Sequence, residues 1–152
     1  ITMEIARLAV NGKLIVENYQ IPVLGLCLGH QALGLAVGWE LIESPLDAVH
    51  GIPSLINHDN SGLYSNLNSP QVLMRYNSLV LNSKNELMTC TAWDESKTLV
   101  MGIRHPMLPV FGIQYHPESV GSPLGDKLIS NFLNQKPILV ESTLYESQVR
   151  RP

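Results

Sequence analysis

The sequence has little cysteine and little charge. Its 152 residues include only two cysteines, Cys27 and Cys90, and charged residues make up 15% of the chain. The cysteines lie in dissimilar contexts, and neither has metal-ligand spacing around it, which argues against a disulfide scaffold or a zinc site. The net charge is −3, and the basic residues are scattered. We therefore exclude nucleic acid as a partner, because nucleic-acid binding requires a clustered basic surface.

Long apolar runs are also missing. No stretch approaches the roughly 18 residues that a membrane-spanning helix needs. The first ten residues, "ITMEIARLAV", contain Glu4 and Arg7 and so lack the charged-then-apolar layout of a signal peptide. These absences predict no membrane partner and a cytoplasmic location.

The residues that are present predict one domain in which helices and strands alternate. Apolar residues make up 45% of the chain, enough for an ordinary core. Helical spacing predicts a first helix over residues 1–10, with a possible extension to Val16. The run "IPVLGL" predicts a buried strand of a parallel sheet, and "LGHQALGLAVGW" returns to helical periodicity. Mostly short strands follow, and "GDKLISNFL" predicts a closing helix.

Cys27 lies where this strand passes into the helix. The stretch "GLCLG" is the thiol version of a nucleophile elbow, in which a tight turn exposes the reactive side chain. We expect Gly25 and Gly29 to avoid side-chain collisions across the turn. The Leu28 amide, at the start of the helix, can then donate to an oxyanion, and the helix terminus favours the thiolate. A structurally buried cysteine remains the alternative for this motif taken alone.

A second motif, "FGIQYHPES", ends another strand-like run with His116, Pro117 and Glu118. Pro117 forces His116 into an extended conformation, so its ring can project from the strand end while Glu118 reaches back to orient it. Functional groups gather at the carboxyl ends of parallel strands, where Cys27 is also expected. A cysteine nucleophile needs such a base and acid. Taken alone, His116 could instead be a surface residue and Glu118 a cap.

Several segments together resemble the triad-type (class I) glutamine amidotransferase family, namely "GLCLGHQALG", "HGIPS", "RYNSLVL", "MGIRH" and "GIQYHPES". The resemblance implies a flavodoxin-like or Rossmann-like α/β domain over residues 1–133, followed by a tail or linker over residues 134–152. It implies Cys27 as nucleophile, His116 as general base and acid, and Glu118 as its orienting partner. The match further implies that substrate is held at these residues: Leu28, Gln31, Ser78 and Leu79.

The resemblance also implies a reaction and a partner. L-Glutamine would be hydrolysed to glutamate through a cysteinyl thioester, and ammonia would pass to a chorismate-using synthase, as a separate subunit or a fused domain. The chemistry requires no cofactor and no metal. The segments "IQYHPESV" and "HGI" favour the aminodeoxychorismate branch of folate biosynthesis over the anthranilate branch of tryptophan biosynthesis. A hydrolase of gamma-glutamyl bonds and a non-catalytic interaction module remain alternatives.

Three departures from the family pattern are visible. Asn77 stands where the synthase subunits usually carry histidine, and Ile52 stands where many carry lysine. We expect these two positions to alter coupling to a partner before they alter the chemistry. The family pattern also begins with further strands and a Pro-Gly-rich loop expected to complete the oxyanion hole. Nothing in this sequence matches that loop, so we expect the chain to lack the first strands of the fold.

Overall fold

The computed structural model describes residues 1–140, and residues 141–152 lie outside the described part of the chain. The described helices are α1 (Thr2–Val10), α2 (Leu28–Ala36) and α3 (Gly125–Leu133), with a 3-10 turn at Gly62–Tyr64. The strands are β1 (Ile15–Val16), β2 (Tyr19–Gln20), β3 (Val23–Leu26), β4 (Glu40–Glu43), β5 (Val49–His58), β6 (Gln71–Asn77), β7 (Leu79–Asn82), β8 (Thr89–Asp94), β9 (Val100–Arg104), β10 (Val110–Ile113) and β11 (Ile138–Leu139). None of these helices is long and apolar enough to cross a membrane.

The main sheet has eight strands and is mixed in direction. Six strands follow the order β3-β10-β9-β8-β5-β6, while β7 pairs with β9 and β4 pairs with β7. Within the described residues, β3 and β10 form the parallel pair, and the other pairs of this sheet are antiparallel. The α/β class predicted from the sequence is confirmed, but most of the strand pairing differs from a parallel sheet. Strand β3 is also only partly buried, because it lies at an edge of this order.

The predicted elements occur with shifted ends. The first helix stops at Val10, short of the possible extension to Val16, and Gly12 follows it with a φ of +64°. Residues with a side chain rarely adopt that backbone conformation. Gly12 adopts it readily and so permits the turn that ends the helix. Helix α3 ends at Leu133, and β11 then pairs antiparallel with β2 in a small three-stranded sheet. The role of residues 134–152 as a tail or linker stays a prediction, and part of it lies outside the described residues.

Two apolar clusters hold the helices against the main sheet. Helices α1 and α2 contribute Ala6, Ala9, Ala32 and Leu33 to one cluster, which also contains Val110 of β10. Small alanines let the two helices approach closely, and burying such apolar surface stabilises the fold by roughly 25 cal/mol per Å². Helix α3 places Leu128 in the other cluster. Strand β10 therefore has helices packed near it from both clusters, and this fixes the position of its carboxyl end.

Candidate active site

The site forms where β3 and β10 end side by side. Their parallel register places Leu26 opposite Ile113, so the next residues, Cys27 and Gln114, leave the sheet together. The Cys27 amide donates to the Ile113 carbonyl at 2.9 Å, which extends the pairing one step past the strand. Because these two strands run in the same direction, residues 87 positions apart in the sequence are brought into contact.

Cys27 occupies a strained turn. Its φ of 47° and ψ of −98° lie outside the regions that side-chain-bearing residues favour, and helix α2 begins at the next residue. The Cys27 carbonyl accepts from the Gln31 amide at 3.1 Å as the helix starts. Strain of this kind persists only where the surrounding structure holds it, and it concentrates at functional turns. The predicted elbow at Cys27 is therefore present in the backbone.

Gly25 and Gly29, two residues before and after Cys27, differ in the space that a side chain would have. A Cβ added to Gly25 would lie 2.6 Å from the backbone carbon and oxygen of Gly29 and 2.9 Å from the His30 nitrogen. A Cβ added to Gly29 would meet nothing within 4 Å. The collision argument thus holds for Gly25 and is wrong for Gly29, because the side-chain direction at Gly29 points into open space. Gly29 takes part in the close approach through its backbone.

Burial raises the pKa of the Cys27 thiol, and the charge of Glu118 raises it further. Hydrogen bonds from the Leu28 amide and from the Gln114 side chain act in the opposite direction and lower this pKa without cancelling the burial. The helix start therefore favours the thiolate as expected, but the thiol is protonated at neutral pH. A nucleophilic Cys27 would accordingly need a base.

His116 is held on several sides. Its Nδ1 lies 2.6 Å from Oε1 of Glu118, and its amide donates to the Met74 carbonyl at 2.9 Å. The Ser122 hydroxyl donates to the His116 carbonyl at 2.7 Å. The Tyr76 ring packs edge-on against the imidazole, with the two ring centroids 5.1 Å apart. Nε2 is enclosed and has no hydrogen-bond partner among the described residues. The geometry leaves this one ring nitrogen available for a proton.

Gln31 and Leu79, separated by 48 positions, are joined in the structure. The Gln31 Nε2 donates to the Leu79 carbonyl at 3.3 Å and to Oε1 of Gln114 at 3.0 Å. The Asn77 side chain donates to the same Leu79 carbonyl at 3.1 Å, and its Oδ1 accepts from Nε of Arg75 at 3.1 Å. Segment 78–79, implied as substrate-binding, is thus fixed by buried amides from two elements.

Ser78 and Leu28 lie at the edge of this network. The Ser78 carbonyl accepts from the Ser44 amide at 2.8 Å, and its side chain is exposed. The Leu28 side chain is 72% exposed, so its backbone amide is the part of the residue that contacts Cys27. Within residues 1–140, no group of three or more His, Cys, Asp or Glu side chains is arranged to hold a metal ion.

Sequence reasoning missed Gln114. It is fully buried, and its Nε2 lies 3.5 Å from the Cys27 sulfur. A signal was available in the sequence, because the polar Gln114 directly follows the apolar run "VFGI" and precedes Tyr115. A buried amide at a strand end needs hydrogen-bond partners, and these are normally found in the same site.

His30, on the buried face of α2, gives the fold a pH dependence. Burial lowers the pKa of His30 to about 4, and the nearby Gly112 backbone offsets only part of this effect. The unfolded chain binds the proton near pH 6.5, so stability is complete above that pH and falls as the pH drops toward 4. We expect a loss of roughly 3 kcal/mol over this range.

The measurement is urea unfolding at several pH values for the wild type and for His30→Gln. Other titrating groups, including His58 and His105, contribute equally to both proteins and cancel in the comparison. The variant is expected to lose less stability on acidification than the wild type. Equal losses in the two proteins would show that His30 does not carry the effect.

The strained turn at Cys27 and the His116–Glu118 pair follow the ends of the two parallel strands β3 and β10 in an α/β fold. A family model described as glutamine amidotransferase class-I matches residues 7–136, and the chain belongs to that family. The sequence-based identification of the family is confirmed.

Two named relatives each align with about three quarters of this chain. The chain is 42% identical over 118 residues to anthranilate synthase component 2 of Cyanophora paradoxa, covering 76% of this chain and 61% of that protein. It is 43% identical over 121 residues to aminodeoxychorismate synthase component 2 of Serratia marcescens, covering 76% and 63%. The chain therefore spans about three fifths of the length of these relatives.

A solved structure supports the fold. A glutamine amidotransferase from Thermotoga maritima superposes with a TM-score of 0.64 at 14% sequence identity, covering 97% of this chain and 53% of that one. At this identity the likeness bears on the fold alone.

Proposed function

We propose that this domain hydrolyses L-glutamine to glutamate and supplies the ammonia to a chorismate-using synthase, of the aminodeoxychorismate branch. The observation that carries the proposal is the 2.6 Å contact between His116 and Glu118 past the end of β10, together with the strained Cys27 elbow past the end of its parallel neighbour β3. A non-catalytic module would have no physical need for this combination. A cytoplasmic location remains part of the prediction.

Each residue has a defined part in the reaction. The Cys27 thiol gives its proton to Nε2 of His116, and the sulfur attacks the carboxamide carbon of glutamine. The Leu28 amide donates to the resulting oxyanion. Collapse breaks the carbon–nitrogen bond, and the proton on His116 passes to the leaving nitrogen, which departs as ammonia. A glutamyl thioester remains on Cys27.

Water completes the cycle. His116 takes a proton from the attacking water, the thioester carbon–sulfur bond breaks, and the proton returns to sulfur as glutamate leaves. Glu118 holds the Nδ1 side of the ring throughout, so that Nε2 faces the reaction. The backbone of Ser78 and Leu79 is proposed to receive the amino-acid end of the substrate, with Gln31 holding this segment in place.

The anthranilate branch is a second candidate, favoured by a relative of that name at nearly the same identity as the aminodeoxychorismate relative. Overall sequence identity does not distinguish the anthranilate branch from the aminodeoxychorismate branch. The local segments "IQYHPESV" and "HGI" support the aminodeoxychorismate branch. In either branch, the exposed Ile52 on β5 stands where many of the synthase subunits carry lysine, and it is proposed to alter coupling to the synthase.

The test measures glutamate release from glutamine by the full-length protein, alone and with chorismate plus the synthase component of each branch. We expect stimulation and glutamine-dependent aminodeoxychorismate with the first component. Anthranilate formation instead would assign the second branch. Turnover of gamma-glutamyl peptides without stimulation would indicate a hydrolase, and synthase binding without glutamate release would indicate a non-catalytic module.

A further inference from the structure

A chain of hydrogen bonds leads from a buried backbone carbonyl to the Cys27 sulfur. It starts at Leu79, passes through the side chain of Gln31, continues through the side chain of Gln114 and ends at Cys27. The two glutamines come from different elements, since Gln31 lies on α2 and Gln114 follows β10. Both side chains are buried, Gln114 completely.

The donor-to-acceptor direction of this series of hydrogen bonds is fixed at the Leu79 carbonyl. A backbone carbonyl can only accept, so Gln31 must turn its NH₂ group toward Leu79. The same NH₂ group has a second hydrogen, which faces Oε1 of Gln114 at 3.0 Å. Gln114 must therefore present its oxygen to Gln31 and its own NH₂ group to the sulfur. The amide orientation, which is otherwise ambiguous for glutamine, follows here from the carbonyl.

We infer that Gln114 is a further catalytic residue of this site, whose Nε2–H donates to the Cys27 sulfur and stabilises the thiolate, and that Gln31 is the positioning residue that fixes the direction of this donor. The inference rests on the proposed function, because it concerns the thiol assigned there as nucleophile. A donor aimed at sulfur favours the charged form over the neutral thiol.

The other side chains around the thiol do not donate a hydrogen bond to it, and the other donor is the backbone amide of Leu28. Glu118 is exposed and acts on Cys27 as a negative charge, which opposes the thiolate. His116 directs Nδ1 to Glu118, and His30 on α2 is enclosed beside Gly112. The Leu28 amide contacts the thiol from the helix side. Gln114 is thus the neutral side chain that donates to the sulfur from the strand side.

The experiment measures the pKa of the Cys27 thiol without any substrate. In a Cys90→Ser background Cys27 is the sole cysteine, and the rate of its alkylation by iodoacetamide is followed against pH. We expect Gln114→Met to raise the pKa by about one pH unit, with alkylation about tenfold slower below that pKa. Gln114→Glu preserves the shape of the side chain but turns an acceptor toward sulfur, and should raise the pKa at least as much.

Two further variants separate the parts of the inference. Gln31→Met leaves the contacts of the sulfur in place but frees the Gln114 amide, so it should raise the pKa by a smaller amount. Gln71→Met makes the same change at a buried glutamine of β6 whose amide atoms have no described partner, and should leave the pKa unchanged. Circular dichroism verifies folding in each case.

An unchanged pKa in both folded Gln114 variants would overturn the inference. An equal rise in Gln71→Met would overturn it as well, because the effect would then be a general response to altered packing. An unchanged pKa in Gln31→Met would refute the positioning role. Since alkylation needs no glutamine, the outcome is independent of whether the protein releases glutamate, and the two hypotheses can fail separately.

Discussion

Replacing Cys27 with alanine is expected to abolish glutamate release from glutamine, with a loss of about 10⁴-fold or more. The proposed thioester forms on the Cys27 sulfur, and no other group at the elbow can carry the acyl intermediate. Alanine adopts the φ of 47° at this position about as well as cysteine does, so the fold should be retained. The measurement is glutamate formed at saturating glutamine, together with mass analysis of acid-quenched protein for the glutamyl adduct.

Cys90 provides the matched control. It lies on β8, partly buried against the apolar cluster that contains α1 and α2, away from the carboxyl end of β3. Cys90→Ala should leave glutamate release within about twofold of the wild type, because β10 and β9 lie between β8 and the strand that carries the elbow, and the change removes only one sulfur atom. If Cys27→Ala kept a tenth of the wild-type rate, or if the adduct formed without Cys27, the assigned nucleophile would be wrong.

The elbow could be predicted because two local signals meet at Cys27. The apolar run before it has the length of a strand, and the periodicity after it is helical, so the turn must lie between them. The histidine motif could be predicted for a similar reason, since Pro117 restricts the residue before it. What these local patterns could not give was the direction of a single Cβ, and the expectation for Gly29 failed on that point.

Strand pairing was beyond the reach of the sequence. The segment "VLMRYNSLVL" fits one of the short strands that the sequence predicts, yet it forms β6 and β7, which separate at Ser78. Asn77 pairs with Val49 of β5, whereas Leu79 pairs with Glu43 of β4, so consecutive strands join different neighbours. Periodicity reports which face of a strand is buried but carries no information about its partner. The mixed sheet therefore became visible only in three dimensions.

Contacts between distant residues show the same limit. The resemblance to the family implied roles for Gln31 and Leu79, but nothing in their local sequence predicted a bond between them. Gln114 was read as part of a strand, and its significance depends on two neighbours from elsewhere in the chain, Gln31 and Cys27. The role of a buried polar side chain depends on the groups that accept and donate its hydrogen bonds.

Gly25→Ala is expected to lower the free energy of unfolding by about 3 kcal/mol and to displace the Cys27 elbow. The added Cβ would stand 2.6 Å from the backbone of Gly29, and backbone atoms at the start of a packed helix cannot move aside as a flexible side chain can. Relief requires β3 or α2 to shift, and either shift moves Cys27 relative to Gln114 and His116. Urea unfolding measures the stability, and glutamate release reports the displacement.

Gly29→Ala, four residues along the same motif, is the control for this prediction. Its Cβ would enter open space, and alanine favours a helix over glycine by up to about 1 kcal/mol, so stability should be unchanged or slightly higher. A difference between the two variants isolates the close approach of strand and helix from any general intolerance of the motif to alanine. Equal losses of stability in Gly25→Ala and Gly29→Ala would mean that the tight packing of β3 on α2 is not what positions the elbow.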